Sequence, residues 1–344
     1  MTAPRTLVTG GAGFLASHVV DSLVAMGHDV VVLDDLSGGL VSNVNDHASF
    51  VEGSVTDLPL LRDLFSTPRI DYIFHLAAYA AEGLSHHIRR FNYETNLIGS
   101  ANLINLAINS GVRCFVFTSS AAIYGDAPAP FSESTIPHPI DPYGISKLAV
   151  ELDLAAAHRY FGLDYIVFRP HNVYGERQSL RDPYRNVVAI FLRQALSGLP
   201  LTIFGDGSQT RAFTHVADVA PLIASSVTVP EAMNETFNIG AGEAYTVNEL
   251  AQHVLAAIPA SVGVIHLPPR FEAADVFSNH DRLRRVFGDH HCTPLAKGIC
   301  RMASWAASQP LPRPRPLTHI EVGRNLPPSW ADLAGRSLFL GGKG

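Results

Sequence analysis

The sequence predicts an α/β chain, a doubly wound parallel sheet followed by a smaller mixed α/β domain. Three observations carry this reading. Short apolar runs alternate with segments of helical period from residue 5 to about 168. The first of these runs ends in a glycine turn that opens a helix, the opening of a Rossmann-type sheet. Beyond residue 169 the alternation gives way to short strands, isolated helices and polar loops. A length of 344 residues suits two closely joined domains. The boundaries expected are 1–168 and 169–344, with part of 212–240 returning to the first domain.

The elements follow in order. Leu7 and Val8 read as a buried strand, Gly10, Gly11 and Gly13 as a tight turn, and Phe14, Leu15, Val19, Val20, Leu23 and Val24 as one helix face. Val30 to Leu33 is a second strand ending in Asp34, and Ser49 to Val55 a third. Leu58 to Phe65 reads as a helix, and Tyr72 to Ala78 as a strand ending in small residues. Asn92 to Asn109 predicts one long amphipathic helix, and Cys114 to Ser120 another buried strand. Asp126 to Pro142, rich in Pro, Ser and His, is a surface loop before a helix that begins near Pro142. Tyr165 to Phe168 is the next strand. Further on, 187–196 is helical, 201–204 a short strand, and helices are expected around 247–257 and after Asp281. The tail from Pro310, with Pro312, Pro314 and Pro316, predicts an extended arm lying over the second domain.

Composition excludes several classes. With 25 basic against 31 acidic residues the chain is mildly negative, which argues against a general nucleic-acid surface. No stretch approaches 18 consecutive apolar residues, so no membrane span is expected. The opening Met-Thr-Ala-Pro-Arg leads directly into the first strand, and a cytoplasmic protein is the expectation. Cys114, Cys292 and Cys300 have neither the even count of a disulfide framework nor metal-ligand spacing, so no metal is expected.

The glycine turn lets backbone N–H groups approach a pyrophosphate at the positive end of the following helix, and Ala16 permits close packing of helix on strand. Asp34 stands about 20 residues on, where a carboxylate meets ribose hydroxyls. Asp34 and Asp35 together repel a 2′-phosphate and favour NAD over NADP. Tyr143 and Lys147 sit at i and i+4 on one helix face. A nearby ammonium stabilises tyrosinate, so the phenol can act as a general base. Ser120, at the preceding strand end, can hydrogen-bond a reacting oxygen or simply cap a turn.

The glycine turn, Asp34, Leu76-Ala-Ala78, Ser119-Ser-Ala-Ala-Ile-Tyr-Gly125, Tyr143-x-x-x-Lys147 and Arg169-Pro-His-Asn-Val-Tyr-Gly175 together resemble an extended short-chain dehydrogenase/reductase. Within that family the likeness is to the nucleotide-sugar 4-epimerases of the UDP-glucose and UDP-glucuronate group, and it extends through Leu201–Arg211 to about Gly288. The resemblance implies a tightly held NAD, reduced and reoxidised within one turnover, a nucleotide-diphospho sugar as substrate, and a homodimer. It implies Ser120, Tyr143 and Lys147 as catalytic residues. It assigns Gly10, Gly13, Phe14, Leu15, Asp34, Asp35, Leu36, Ser37, Ser54, Val55, Leu76, Ala77, Ala78, Asn96, Pro170 and Val173 to the cofactor, with Tyr143 and Lys147 also touching it. To the substrate it assigns Tyr79, Ala121, Asn172, Arg185, Asn186, Val187, Ile203, Phe204, Arg211 and Arg270, beside Ser120 and Tyr143.

Departures from the family pattern sharpen the expectation. After Ser120 stand Ala121 and Ala122, where related 4,6-dehydratases carry an Asp-Glu pair to eliminate water. Without that pair, chemistry should stop at oxidation and re-reduction at C4. Phe277 aligns with a position that gates sugar size, and a bulky ring there would disfavour a 2-acetamido group. Arg177, Arg181 and Arg185 lie on one loop and offer partners to a uronic-acid carboxylate, so UDP-glucuronate and UDP-glucose stand equal. The alternatives are a dehydratase or reductase of the same fold, or a catalytically silent NAD-binding protein.

Overall fold

The computed structural model describes residues 3–66, 68–182, 186–258, 262–269, 273–290, 292–311, 316–328 and 330. Residues 5–170 form β1 (Arg5–Thr9), α1 (Phe14–Ala25), β2 (Asp29–Asp34), β3 (Ser49–Glu52), α2 (Leu58–Ser66), β4 (Tyr72–His75), α3 (Glu82–Ser85), α4 (Arg89–Tyr93), α5 (Gly99–Ser110), β5 (Cys114–Thr118), α6 (Pro142–Phe161) and β6 (Tyr165–Pro170). The remainder supplies β7 (Val173–Tyr174), α7 (Val187–Leu196), β8 (Leu201–Phe204), β9 (Thr210–Ala212), β10 (Thr214–His215), α8 (Val216–Ser225), β11 (Glu235–Ile239), β12 (Ala244–Thr246), α9 (Val247–Ala257), β13 (Val264–Leu267), β14 (Asp275–Val276), α10 (Asp281–Phe287) and α11 (Leu295–Ala307).

Seven strands form one parallel sheet in the order β11-β6-β5-β4-β1-β2-β3. The chain thus leaves the middle of the sheet in both directions from β1 and β4, which opens a crevice at their carboxyl ends. Leu7 pairs in register with Val31 on one side and Ile73 on the other. Alternate strand residues face opposite layers. Val8, Val32, Phe74 and Val116 pack with α1 and α8, whereas Leu7, Val31, Ile73 and Phe115 pack with α5 and α6. A separate core of Val188, Phe191, Leu201, Leu250, Ile299 and Met302 holds α7, α9 and α11 together beside the short β8–β13 pair.

Several elements differ from expectation. The predicted helix over 92–109 is α4 and α5 joined through a wide π-type turn at Glu94–Ile98, which holds Asn96 buried. β4 stops at His75, so Leu76–Ala78 leave the sheet at its crevice. The arm is the largest correction. Leu317 and Trp330 bury themselves against Ala81, Leu84 and Ile88 of the α3–α4 segment, not against the α7–α9–α11 core. Segment 79–93 leaves β4 with an uncovered apolar face, and the arm covers it. Among the described helices none is long and apolar enough to cross a membrane.

Candidate active site

One cavity of about 580 Å³ runs from the carboxyl ends of the central strands to the β8–β9 region. Of the residues assigned above to catalysis, cofactor or substrate by the resemblance, all line it except four. Leu36 and Asn96 stand behind the wall, and Arg185 and Arg270 lie outside the described residues.

The glycine turn forms one end. Gly10 has φ +74°, and a Cβ on it would stand 2.8 Å from the Ala77 backbone, so only glycine brings the turn this close to the segment that follows β4. Gly13 caps α1 with no side chain, and no acidic residue occupies the helix's first turn. The N–H groups of this helix start therefore face the cavity with the partial positive charge of a helix N-terminus. Asp34 ends β2 and accepts from Leu36 N at 2.8 Å and Ala12 N at 3.1 Å. Burial pushes its carboxyl above the ordinary range, against those hydrogen bonds. Leu36 acts through its backbone, whose left-handed φ of 59° turns its N–H to Asp34. Asn96 accepts from Tyr79 N at 2.8 Å and so positions the Ala78–Tyr79 wall.

Ser120, Tyr143 and Lys147 stand on the middle of the wall. Ser120 caps the short helical turn 121–124 and accepts from Ala122 N at 3.1 Å. α6 starts where it does because Asp141 accepts from Gly144 N at 2.8 Å, with Pro142 at the first helical position. That start places Tyr143 and Lys147 on the cavity side. Lys147 Nζ donates to Thr118 O at 2.8 Å and lies 5.8 Å from the centre of the Tyr143 ring. Burial pushes its ammonium down to about 7, opposed by the charge of Glu151 one turn on. Glu151 in turn grips Arg169 of β6 at 2.5 and 3.0 Å, and Arg169 donates to Tyr124 Oη at 2.8 Å. This buried network fixes α6 to the sheet behind the site.

The far end is less regular. Asn186 caps α7, accepting from Val188 N at 3.2 Å and donating to Val173 O at 2.6 Å. Ile203 and Phe204 on β8 reach the wall, as does Arg211 on β9. Arg211 is oriented by the carbonyls of Thr210, Ala273 and Ala274 at 2.7 to 2.8 Å.

Two expectations need correction. Val276, not Phe277, is on the cavity wall, because alternate residues of the extended segment face opposite ways. Of the loop arginines, Arg177 pairs with Asp21 on α1 at 2.7 Å, and Arg181 is exposed and off the wall. The same loop offers the cavity Gln178, Ser179 and Asp182 instead.

Sequence reasoning also missed Glu82, His86, Thr118, Gln178 and Trp330 as wall residues. Thr118 Oγ1, Ser119 Oγ and Gln178 Oε1, of residues on this wall, are buried with no hydrogen-bond partner among the described residues. The Gly10 cradle, the uncapped helix start and the Asp34 carboxylate fit a dinucleotide.

Comparison with known proteins agrees. Residues 6–240 match the model of the NAD dependent epimerase/dehydratase family. The UDP-glucose 4-epimerase of Mycolicibacterium smegmatis is 37% identical over 307 residues, covering 86% of this chain and 96% of that protein. The crystal structure of the Thermotoga maritima UDP-glucose 4-epimerase with UDP-glucose is 38% identical with a TM-score of 0.84, covering 88% of this chain and 98% of that one. The Thermus thermophilus UDP-glucose 4-epimerase in complex with NAD is 32% identical with a TM-score of 0.81, covering 88% and 99%. A seven-stranded sheet with its crevice at a glycine turn, a Tyr–Lys pair and a serine on one wall, and these likenesses have one meaning: the chain belongs to the NAD dependent epimerase/dehydratase family, as an extended short-chain dehydrogenase/reductase of the nucleotide-sugar 4-epimerase type.

Proposed function

We propose that this chain interconverts UDP-glucose and UDP-galactose by inverting C4 of the sugar. The observation that carries the reading is one cavity wall bearing Ser120, Tyr143 and Lys147 with only alanines at 121 and 122. NAD bound at the glycine turn supplies a hydride acceptor that gives the hydride back. Gly10, Gly13, Phe14 and Leu15 would hold its pyrophosphate, Asp34 its adenosine ribose, and Lys147 the ribose near the reacting end.

Tyr143 takes the proton of the C4 hydroxyl and later returns it. Lys147 favours the phenolate by its charge, and a phenolate so close favours the charged lysine in return, against the burial that lowers its pKa. Ser120 hydrogen-bonds the same oxygen and keeps it aimed at Tyr143. Arg211 and Asn172 hold the diphosphate, where a planar guanidinium suits paired charge-assisted bonds. Anchoring by the nucleotide leaves the sugar free to present either face. Elimination of water would need a further acid–base pair, and the alanines supply none.

The likeness to UDP-glucose 4-epimerases favours a neutral C5 substituent over a carboxylate. Charge at the wall does not decide it, since Glu82 and Arg211 share the small recess beside Ser120 and Ala121. Incubating the purified protein with UDP-galactose, UDP-glucuronate and a UDP-N-acetylhexosamine, with product mass and stereochemistry read out, tests this. UDP-glucose of unchanged mass is the expected product. Loss of water overturns the epimerase reading in favour of a dehydratase, and a preference for the uronate overturns the choice of a neutral C5 substituent.

A further inference from the structure

We propose that the C-terminal arm completes the sugar end of the cavity, and that Trp330 determines which sugars fit there. The inference rests on the nucleotide-sugar reading above and adds a specificity residue to it. Trp330 is only 6% exposed, yet it lines the same cavity as Ser120 and Tyr143. Its ring edge comes within contact distance of Gly83, since a Cβ built there would stand 3.4 Å from Trp330 Cη2.

The arm is held as a structural part, not as a loose tail. Glu321 accepts from Arg90 N at 2.7 Å and Phe91 N at 2.9 Å, which satisfies two donors at the start of α4. His87 makes three links to it: Nδ1 lies 2.7 Å from Val322 O, and its carbonyl accepts from Glu321 N and Val322 N. His319 stacks on Phe91 with centroids 4.0 Å apart and planes 2° from parallel. Leu317 and Trp330 complete the apolar cluster with Ala81, Leu84 and Ile88.

The platform beneath the arm is itself cavity wall. Tyr79, Glu82, Gly83, His86 and Phe91 all face the cavity, and Glu82 also faces the recess beside Ser120. Trp330 therefore adds a rigid, largely apolar surface to the wall segment that reaches the catalytic serine. Such a surface gives contact to the carbon framework of a hexose and leaves little room for a large added substituent. The relatives are matched over 96 to 99% of their own length by 86 to 88% of this chain, which leaves about an eighth of it without a counterpart in them.

The chain has two tryptophans, and Trp305 packs at the α7–α9–α11 core, away from the cavity. Trp305→Phe thus leaves Trp330 as the only indole. Titrating that protein with UDP-glucose should change the tryptophan emission, and UDP alone should not; an identical response to both overturns the proposal. In a second experiment, Trp330→Ala should retain the wild-type NAD content. Its kcat/KM ratio for a UDP-N-acetylhexosamine over UDP-glucose should rise at least about ten-fold, the discrimination that a methylene-sized contact gives in an apolar pocket. A ratio within about two-fold of wild type, well under that figure, overturns the role of Trp330. Failure of the epimerase reading shows differently: wild type then turns over none of these sugars, while the single-tryptophan titration still reports whether Trp330 meets a bound one.

Discussion

The two ends of the cavity are built from different materials. At the glycine-turn end the wall consists of strand ends of one parallel sheet whose register is fixed by both neighbours, and the residues come from the close of β1, β2, β4 and β5. At the Arg211 end it consists of strands two to four residues long, the start of α7 and an irregular loop, while a docked arm closes the wall between them. A sheet of buried strands transmits position over its whole width, so the first end needs no ligand to be in place. The second depends on individual tethers such as the three carbonyls that hold Arg211. The chemistry shared by a family belongs at the rigid end, and the choice of substrate at the tethered one.

The comparison can be broken most forcefully at Tyr143. Tyr143→Phe removes only a hydroxyl from the helix that the buried network fixes to the sheet beside the rigid end, and activity should fall by about 10²- to 10⁴-fold, the usual worth of a positioned general base. Bound NAD, released by heat and quantified by chromatography, should remain at the wild-type level. Activity within a few-fold of wild type would show that another group is the base.

Arg211→Met tests the tethered end. Loss of charged hydrogen bonds to a diphosphate costs roughly 1.5–3 kcal/mol, or about ten- to hundred-fold in KM for UDP-glucose. NAD content should not move. An unchanged KM would reduce Arg211 to a brace for the 273–274 segment.

The smallest effect is expected at Asp34, and it depends on pH. Its folded pKa is raised by burial, so its contribution to stability is full below the unfolded value and is lost as pH rises through the folded one. In nucleotide-stripped protein, Asp34→Asn should therefore gain thermal stability relative to wild type between pH 4 and pH 7, while binding NAD less well. A stability difference that narrows over that range would mean the carboxylate is stabilised in the empty site.

Much of the rigid end was legible because its signals are local. Gly10, Asp34, Tyr143 and Lys147 each stand at a fixed distance from an apolar strand or on one helical face, and strand and helix periods convert those spacings directly into placement. The π-type turn at Glu94–Ile98 was not legible, because an added residue in one turn leaves the apolar pattern over 92–109 almost unchanged. α8, which packs on α1, was missed since Pro221 interrupts its reading. The wall roles of Phe277 and Arg181 were misjudged for a different reason. Which face a short strand or a loop residue presents is decided by its neighbours, not by its own sequence.

By itself the sequence determined the sheet, the dinucleotide crevice and the serine, tyrosine and lysine beside it, because each follows from periodicities and spacings within a few turns of chain. Only the tertiary structure decided that Glu82, Gln178 and Trp330 face the same cavity. Trp330 is some 250 residues from its platform, and no local pattern records a contact made by packing one apolar face on another at that separation.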